Sequence, residues 1–286
     1  MKTIYILTPS VTRPDCHNRS VIPFVNNIYQ SNIFENVVWF VNIDRPLITK
    51  RAQNGVGHFE FEQMDFTVKN FKKTVKKEIS LNINESNSPC FYKAFSHLFS
   101  SVKNHIESHN LNDDEFCILW LEDDWKLTRR DDFYRDLNLF ISKPNIKFYT
   151  LYKHKLNIGG NPQIIKGDLY TSHFKNMDIS LDNKRDPEVI MRNEIFREHI
   201  FDPWVFKAVG MEKHIFESKS LTFKDKISIA NDLIKKYTDT FFVSNGMYGN
   251  VVEDIGDLWR WERGFRKWDH NQKENGINSD ESYTYI

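Results

Sequence analysis

Three consecutive carboxylates, Glu122, Asp123 and Asp124, are the residues of this sequence best suited to chemistry. They directly follow the apolar run FCILWL. In an extended chain Glu122 and Asp124 face one side and Asp123 the other, and carboxylates that share a side repel each other unless a cation lies between them. Hard cations such as Mg²⁺ and Mn²⁺ prefer oxygen ligands and often bind substrate phosphates as well. The triplet therefore predicts a metal–phosphate site, with a solvated turn as the alternative.

The elements that position these acids follow from hydrophobic patterning. Continuous apolar runs at residues 3–7, 37–43 and 116–121 predict strands buried on both faces. Apolar residues at helical spacing predict helices over residues 20–30 and from Ser88 and Pro89 to Ile106. Alternating strands and helices are typical of a mainly parallel sheet covered by helices. Ligands of such sheets bind beyond the carboxyl ends of the strands, where the acidic triplet is predicted to lie.

The remaining elements are less regular. Residues 58–66 alternate and predict a third strand, whereas the Asn- and Ser-rich residues 82–88 predict a loop. Short strands are expected at residues 148–152, 163–165 and 240–243, and helices at 187–198, 203–209 and 224–236.

Composition excludes several classes of protein. The 286 residues carry 39 Lys and Arg against 39 Asp and Glu, without the positive surplus of a protein that grips nucleic acid mainly through its phosphates. A hydrophobic content of 40% excludes a wholly disordered chain. Three scattered cysteines predict no disulfide framework. With no membrane span and no signal peptide in the pattern, we expect a cytoplasmic protein.

Three segments together resemble glycosyltransferases of the A-type fold (GT-A): YILTPSVTRP, VVWFVNID and ILWLEDDW. Such enzymes use a nucleotide-sugar donor and a metal held by an Asp-x-Asp-like motif. The Glu-Asp-Asp form is similar to that of viral enzymes and of collagen and lipooligosaccharide galactosyltransferase-like enzymes. The resemblance covers roughly the first half of the chain.

The resemblance implies a single α/β domain, GT-A-like and Rossmann-type, with a mixed, mainly parallel sheet flanked by helices. Residues 1–150 would form the nucleotide-sugar-binding half. Residues 151–286 would form the acceptor-binding half and a C-terminal closing segment.

The resemblance also implies a set of nucleotide contacts. Thr8, Pro9 and Arg13, after the first strand, would line the nucleotide. Asp44, after the second strand, would hold the base or ribose, although it is equally suited to the turn before Pro46. Asp123 would contact the ribose or a metal-bound water.

The metal implied by the resemblance is Mn²⁺ or Mg²⁺. Asp124 would coordinate the ion that bridges the diphosphate, with Glu122 as a further ligand. Near the C-terminus Asp254 is a candidate ligand and Arg263 a candidate phosphate contact, in a segment that also carries the three tryptophans Trp259, Trp261 and Trp268. The tryptophans suit sugar stacking; the alternative is a closing helix whose tryptophans are core and whose arginines are solvated.

A catalytic base is required only if the reaction inverts the anomeric centre. Asp202 is the candidate, although its place before Pro203 is also explained by capping of a helix. Glu253 is the competing candidate.

These features predict a hexosyl- or pentosyltransferase that moves a sugar to a hydroxyl of a glycan, a protein or a hydroxylated DNA base. A nucleotidyltransferase is the first alternative, although TPSVTRP lacks the glycines of its phosphate loop. A non-catalytic sugar- or partner-binding module is the second. A basic stripe is either a solvated helix face or the contact for a polyanionic acceptor; it consists of Lys69, Lys72, Lys73, Lys76 and Lys77. The sugar, the stereochemistry and the oligomeric state are left open.

Overall fold

A computed structural model describes residues 1–45, 64–87, 91–144, 148–151, 162–175, 242–243 and 251–262. The strands are β1 (Thr3–Val11), β2 (Asn36–Asp44), β3 (Ser80–Ser86), β4 (Phe116–Trp120), β5 (Trp125–Leu127), β6 (Phe148–Thr150), β7 (Gln163–Lys166), β8 (Phe242–Val243) and β9 (Val252–Asp254). The helices are α1 (Pro14–Arg19), α2 (Val21–Gln30), α3 (Met64–Thr74), α4 (Phe91–Ser108), α5 (Arg130–Ser142), α6 (Gly167–Leu169), which continues into a π-helical turn (Tyr170–Phe174), and α7 (Gly256–Glu262).

The central sheet has the strand order β3-β2-β1-β4-β7-β6-β8. Strands β3, β2, β1 and β4 are parallel, β7 is antiparallel to both β4 and β6, and β8 is parallel to β6. This confirms the predicted mixed, mainly parallel sheet flanked by helices. The chain leaves β1 towards β2 and β3 and later returns to place β4 on the other side of β1, so the topological switch point lies between β1 and β4.

The strands form as predicted because their side chains are buried on both faces. Every residue of β1 is buried, as is every residue of β2 after Asn36. One face of the sheet packs Ile6 and Trp39 into the cluster formed with α2 and α3. On the other face, Trp120 packs against Phe95 of α4, with ring centroids 4.8 Å apart.

Two predictions about the region after β2 are wrong. Residues 64–66, the end of the predicted third strand, begin helix α3 instead, and residues 58–63 lie outside the described part of the chain. The third strand is β3, in the Asn- and Ser-rich segment that was expected to be a loop. Strand β3 is at the edge of the sheet, where Leu81 and Ile83 alone pack on the core, so the other residues of the strand can be polar.

The predicted short strands at residues 148–152, 163–165 and 240–243 correspond to β6, β7 and β8. The three helices predicted between residues 187 and 236 lie outside the described residues. Because β7 pairs with β4, the two predicted halves of the chain share one sheet. The lysines of the basic stripe are exposed. Among the described helices, none has the length and apolar character needed to cross a bilayer.

Candidate active site

The acidic triplet forms a turn just beyond the carboxyl end of β4. The backbone N–H of Trp125 donates to the carbonyl of Glu122 at 3.4 Å, which closes the turn. The expected alternation of side chains is therefore wrong, since a single guanidinium nitrogen of Arg13 contacts both Asp123 and Asp124. The triplet lies next to the switch point, because Leu7 of β1 is level with Trp120 of β4.

Asp123 is surrounded by donors that hold the end of β1 and the start of α1 against the turn. Its side chain is only 4% exposed. The Oδ2 atom accepts hydrogen bonds from Ser10 Oγ (2.8 Å), the Val11 N–H (3.2 Å) and Arg13 Nε (3.1 Å), and Arg13 Nη2 donates to Oδ1. His17 Nε2 lies 2.9 Å from the same Oδ2. Both carboxylate oxygens of Asp123 therefore accept hydrogen bonds that hold the turn in place.

The electrostatics of Asp123 keep it ionised. Burial disfavours the carboxylate, but the charge of Arg13 and the hydrogen bonds from His17 and Arg13 outweigh burial, so the pKa of Asp123 lies well below its ordinary value. A carboxylate can only accept, so the contact with His17 places a proton on Nε2. None of the described residues supplies a hydrogen-bond partner for the Nδ1 atom of this buried histidine.

Asp124 differs from Asp123 because only one of its two carboxylate oxygens is hydrogen-bonded by the described residues. Its Oδ2 accepts from Arg13 Nη2 at 3.0 Å. Its Oδ1 is buried, the residue being only 7% exposed, and this atom has no hydrogen-bond partner among the residues that the structure describes. Two carboxylates therefore share the one guanidinium of Arg13. A buried carboxylate oxygen without a partner is costly unless a cation or a donor completes it.

Trp259 covers Arg13 from the C-terminal segment. The guanidinium carbon lies 5.6 Å from the centre of the indole ring, and Trp259 Nε1 donates to Asp15 Oδ2 at 3.0 Å. Trp259 is buried with Cys16 and Ile255. Stacking on a sugar is therefore the wrong interpretation for Trp259, and the core interpretation is confirmed. Burial also raises the pKa of the Cys16 thiol to about 12, so this cysteine is not a reactive thiolate.

The C-terminal segment packs directly on the acidic turn, more than a hundred residues away in sequence. Strand β9 pairs with β5, which places Asp254 opposite Trp125. The Ile255 N–H donates to the Asp124 carbonyl at 3.0 Å. A Cβ atom on Gly256 would lie 2.2 Å from Asp124 Oδ2, so only glycine allows the carboxylate to sit there.

The predicted metal ligands are only partly brought together. Glu122 is half-buried in the turn, and Asp254 and Glu253 are exposed on β9. Asp254 Oδ1 accepts from the Gly256 N–H at 2.7 Å. Within the described ranges no three Asp, Glu, His or Cys side chains form a group that could hold a metal. The partnerless Oδ1 of Asp124 nevertheless fits a hard cation, since Mg²⁺ is commonly bound by one or two carboxylates, waters and substrate phosphates.

Among the predicted nucleotide contacts, Asp44 lies at the end of a strand, whereas Thr8 and Pro9 lie inside one. Asp44 is buried at the carboxyl end of β2, level with Val11, and accepts from Asn42 Nδ2 at 2.9 Å. Thr8 and Pro9 lie within β1 rather than after it. Both are buried, and Thr8 Oγ1 accepts from Trp39 Nε1 at 2.9 Å, so its hydroxyl serves the core.

Two further predicted residues, Asp202 and Arg263, lie outside the described part of the chain. Three polar residues of the site were missed by sequence reasoning. Ser10 and His17 bind Asp123, and the Ser20 hydroxyl donates to the Asp123 carbonyl at 2.6 Å. The available signal was their position, since all three follow the apolar run at residues 3–7, as Arg13 does.

Comparison with known proteins gives a fold likeness only. No family model matches the chain, and no curated protein matches it. Among solved structures, glucosyl-3-phosphoglycerate synthase from Mycobacterium tuberculosis, in complex with Mg²⁺ and UDP, is similar with a TM-score of 0.40 and 9% identity over 68% of this chain and 66% of that chain. A mycobacterial protein is similar with a TM-score of 0.37 and 9% identity over 60% of this chain and 55% of that chain.

CMP:2-keto-3-deoxy-manno-octonic acid synthetase, in complex with CTP, gives a TM-score of 0.34 and 9% identity over 70% of this chain and 87% of that chain. The match to the glucosyl-3-phosphoglycerate synthase spans less than two thirds of that protein's length. Likeness at these values carries no argument about activity.

Proposed function

We propose that this protein is a metal-dependent glycosyltransferase that moves a sugar from a nucleoside-diphosphate sugar to an acceptor hydroxyl. The observation that carries the proposal is Asp124, a buried carboxylate with a partnerless oxygen at the switch point of a mainly parallel sheet. The resemblance of the segments that contain Arg13, Asp44 and Asp124 to GT-A enzymes supports the same assignment.

The charge of the site supports a cationic ligand. Arg13 offsets one of the two carboxylates that it contacts, Asp123 and Asp124. In a buried site the remaining negative charge has few ways to be compensated, and a divalent cation is one of them. In our proposal Asp124 holds Mn²⁺ or Mg²⁺ through Oδ1, with Glu122 and Asp254 as the further candidate ligands. A bound divalent ion supplies Lewis-acid stabilisation of the negative charge of a leaving diphosphate.

The protein's own residues then have separate tasks. Asp123 fixes the turn so that the Asp124 carboxylate is already placed before a ligand arrives, which lowers the reorganisation needed at the site. Asp44, buried at the end of β2, is the proposed contact for ribose hydroxyls, since a carboxylate accepts two vicinal hydroxyls well. Arg263 as a phosphate contact, and Asp202 or Glu253 as the base, complete the proposal together with an acceptor that is a glycan, a protein or a modified nucleic acid.

The test is a thermal-shift screen of UDP, GDP, CDP and their sugar conjugates, each with Mn²⁺ and with EDTA. A native-state ligand raises Tm, and we expect at least one nucleotide to do so in a metal-dependent way. Asp124→Ala should lose the metal-dependent part of the shift and reduce sugar transfer by about 10³-fold or more, as expected for loss of several kcal/mol of charge stabilisation.

Three controls separate the alternatives. Lys126→Ala, an exposed residue of β5 close in sequence to the turn, should leave both signals unchanged. A binding module would show the shift but release no nucleoside diphosphate from a donor, whereas a nucleotidyltransferase would respond to a nucleoside triphosphate and release pyrophosphate. Full transfer activity in Asp124→Ala would contradict the proposal.

A further inference from the structure

Gln163 is a buried polar side chain that the site described above does not use. It is the first residue of β7 and only 1% exposed. Within the described part of the chain, neither its amide nitrogen nor its amide oxygen has a hydrogen-bond partner. A buried amide without partners destabilises a folded protein by roughly 1–3 kcal/mol. Such a group is expected where a ligand will complete it.

The position of Gln163 relates it to the acidic turn. It pairs with Trp120, the last residue of β4, and the turn residue Asp123 follows three positions later. Three extended residues span about 10 Å, which bounds the distance along the chain from Trp120 to Asp123. Gln163 therefore lies at the same carboxyl edge of the sheet, on the β7 side of the turn.

The strand order places three polar groups in a row along this edge. Asp44 ends β2, the turn with Arg13 and Asp124 lies at β1 and β4, and Gln163 begins β7. The strands β2 and β7 are three spacings apart, about 14 Å across the sheet. A nucleotide sugar has the same linear order of nucleoside, diphosphate and sugar.

We infer that Gln163 binds hydroxyl groups of the transferred sugar and so contributes to the choice of donor. This inference rests on the proposed function. A side-chain amide offers both a donor and an acceptor, which matches a sugar hydroxyl that also donates and accepts. The nucleoside binds at Asp44 and the diphosphate at Asp124, so that the sugar is the part of the donor that faces β7.

The experiment compares Gln163→Met with the wild type, since methionine has nearly the same length but no strong hydrogen-bonding group. The probes are UDP against UDP-glucose and GDP against GDP-mannose, each with Mn²⁺. We expect the Tm of the free variant to equal or exceed that of the wild type, because a partnerless amide has been removed. The shift with the diphosphate should be unchanged, and the additional shift given by the sugar should be lost. KM for the donor should rise about tenfold, the effect of one or two hydrogen bonds.

A matched control is Thr67→Val. Thr67 is also fully buried, and the described residues supply no partner for its hydroxyl. It lies on α3, which packs against α1 and against the edge strand β3, whereas Gln163 begins β7, four strands away from β3. Its replacement should leave the sugar-dependent shift unchanged.

The outcomes distinguish the inference from the proposed function. A wild type that responds to the donors and a Gln163→Met variant that keeps the full sugar-dependent shift overturn the inference alone. A fall in Tm of the free variant also overturns it, because the amide would then already have partners in the native state. A wild type that responds to none of the nucleotides overturns the proposed function and this inference with it.

Discussion

The amino edge of the central sheet, where its parallel strands begin, and the carboxyl edge, where they end, differ in how their polar groups are paired. At the amino edge the polar groups of Lys2, Thr3 and Glu115 are paired with one another. The backbone N–H groups of Lys2 and Thr3 donate to the carbonyl of Glu115 at 2.7 and 2.9 Å, and Lys2 Nζ lies 3.1 Å from the Glu115 carboxylate. At the carboxyl edge, several buried polar atoms have no hydrogen-bond partner in the described ranges; they include Asp124 Oδ1, Thr12 Oγ1, His17 Nδ1 and both amide atoms of Gln163.

This difference indicates which edge is built for stability and which for a ligand. A buried polar atom without a partner lowers the free energy of unfolding, and natural proteins keep such atoms mainly where function requires them. At the amino edge, Lys2 and Thr3 bind Glu115 within the protein itself. The carboxyl edge has an acidic turn held by the donors around Asp123, together with buried acceptors and donors for which the described residues supply no partner.

The same contrast exists between two adjacent residues of the turn. Asp123 has both oxygens occupied by protein donors, whereas Asp124 has one oxygen occupied and one without a partner. We therefore assign Asp123 to stability and Asp124 to ligand binding, although the two residues are chemically identical.

The largest expected effect on stability tests this assignment. Asp123→Asn removes the charge that faces Arg13 and His17 in a buried site, and breaking such a pair costs about 3 kcal/mol or more. Asp124→Asn keeps an oxygen for Arg13 and should cost far less, while removing metal-dependent nucleotide binding. Urea unfolding of both variants measures the difference. Equal losses of stability would contradict the division of roles.

The next largest expected effect, after the loss of stability in Asp123→Asn, is a dependence of the free energy of unfolding on pH. The folded-state pKa of Asp123 lies below its ordinary value of about 3.9, so its contribution to stability is complete above that value and is lost as the pH falls below about 4. We expect the free energy of unfolding of the wild type to decrease more steeply between pH 5 and pH 3 than that of Asp123→Asn. Parallel curves for the two proteins would show that Asp123 is not stabilised by Arg13.

The elements that were predictable from sequence are those fixed by local composition. The apolar runs of β1, β2 and β4 identify buried strands wherever they pair, and the acids after β4 can be placed at a strand end without knowledge of the partners. Strand β3 was missed because an edge strand needs only Leu81 and Ile83 to be apolar, which leaves a sequence that is typical of a loop.

The contacts of the site were not predictable because they join distant parts of the chain. Arg13 and Asp123 are separated by 110 residues, and Trp259 reaches Asp15 across 244. The significance of Gln163 depends on the register of β7 against β4, and no local pattern gives a register between strands so far apart in sequence. Trp259 was ambiguous for the same reason, since an indole suits a core and a sugar equally until its neighbours are known.

The smallest expected effect concerns the amino edge and completes the comparison. Lys2→Ala removes an exposed ion pair with Glu115, and pairs of this kind contribute little to stability because water and salt screen them. We expect Tm to change by no more than the error of the measurement, and both the nucleotide-dependent shift and the rate of sugar transfer to equal those of the wild type. A reduced nucleotide response in Lys2→Ala would mean that the amino edge also takes part in ligand binding, and the contrast between the two edges would then no longer identify the site.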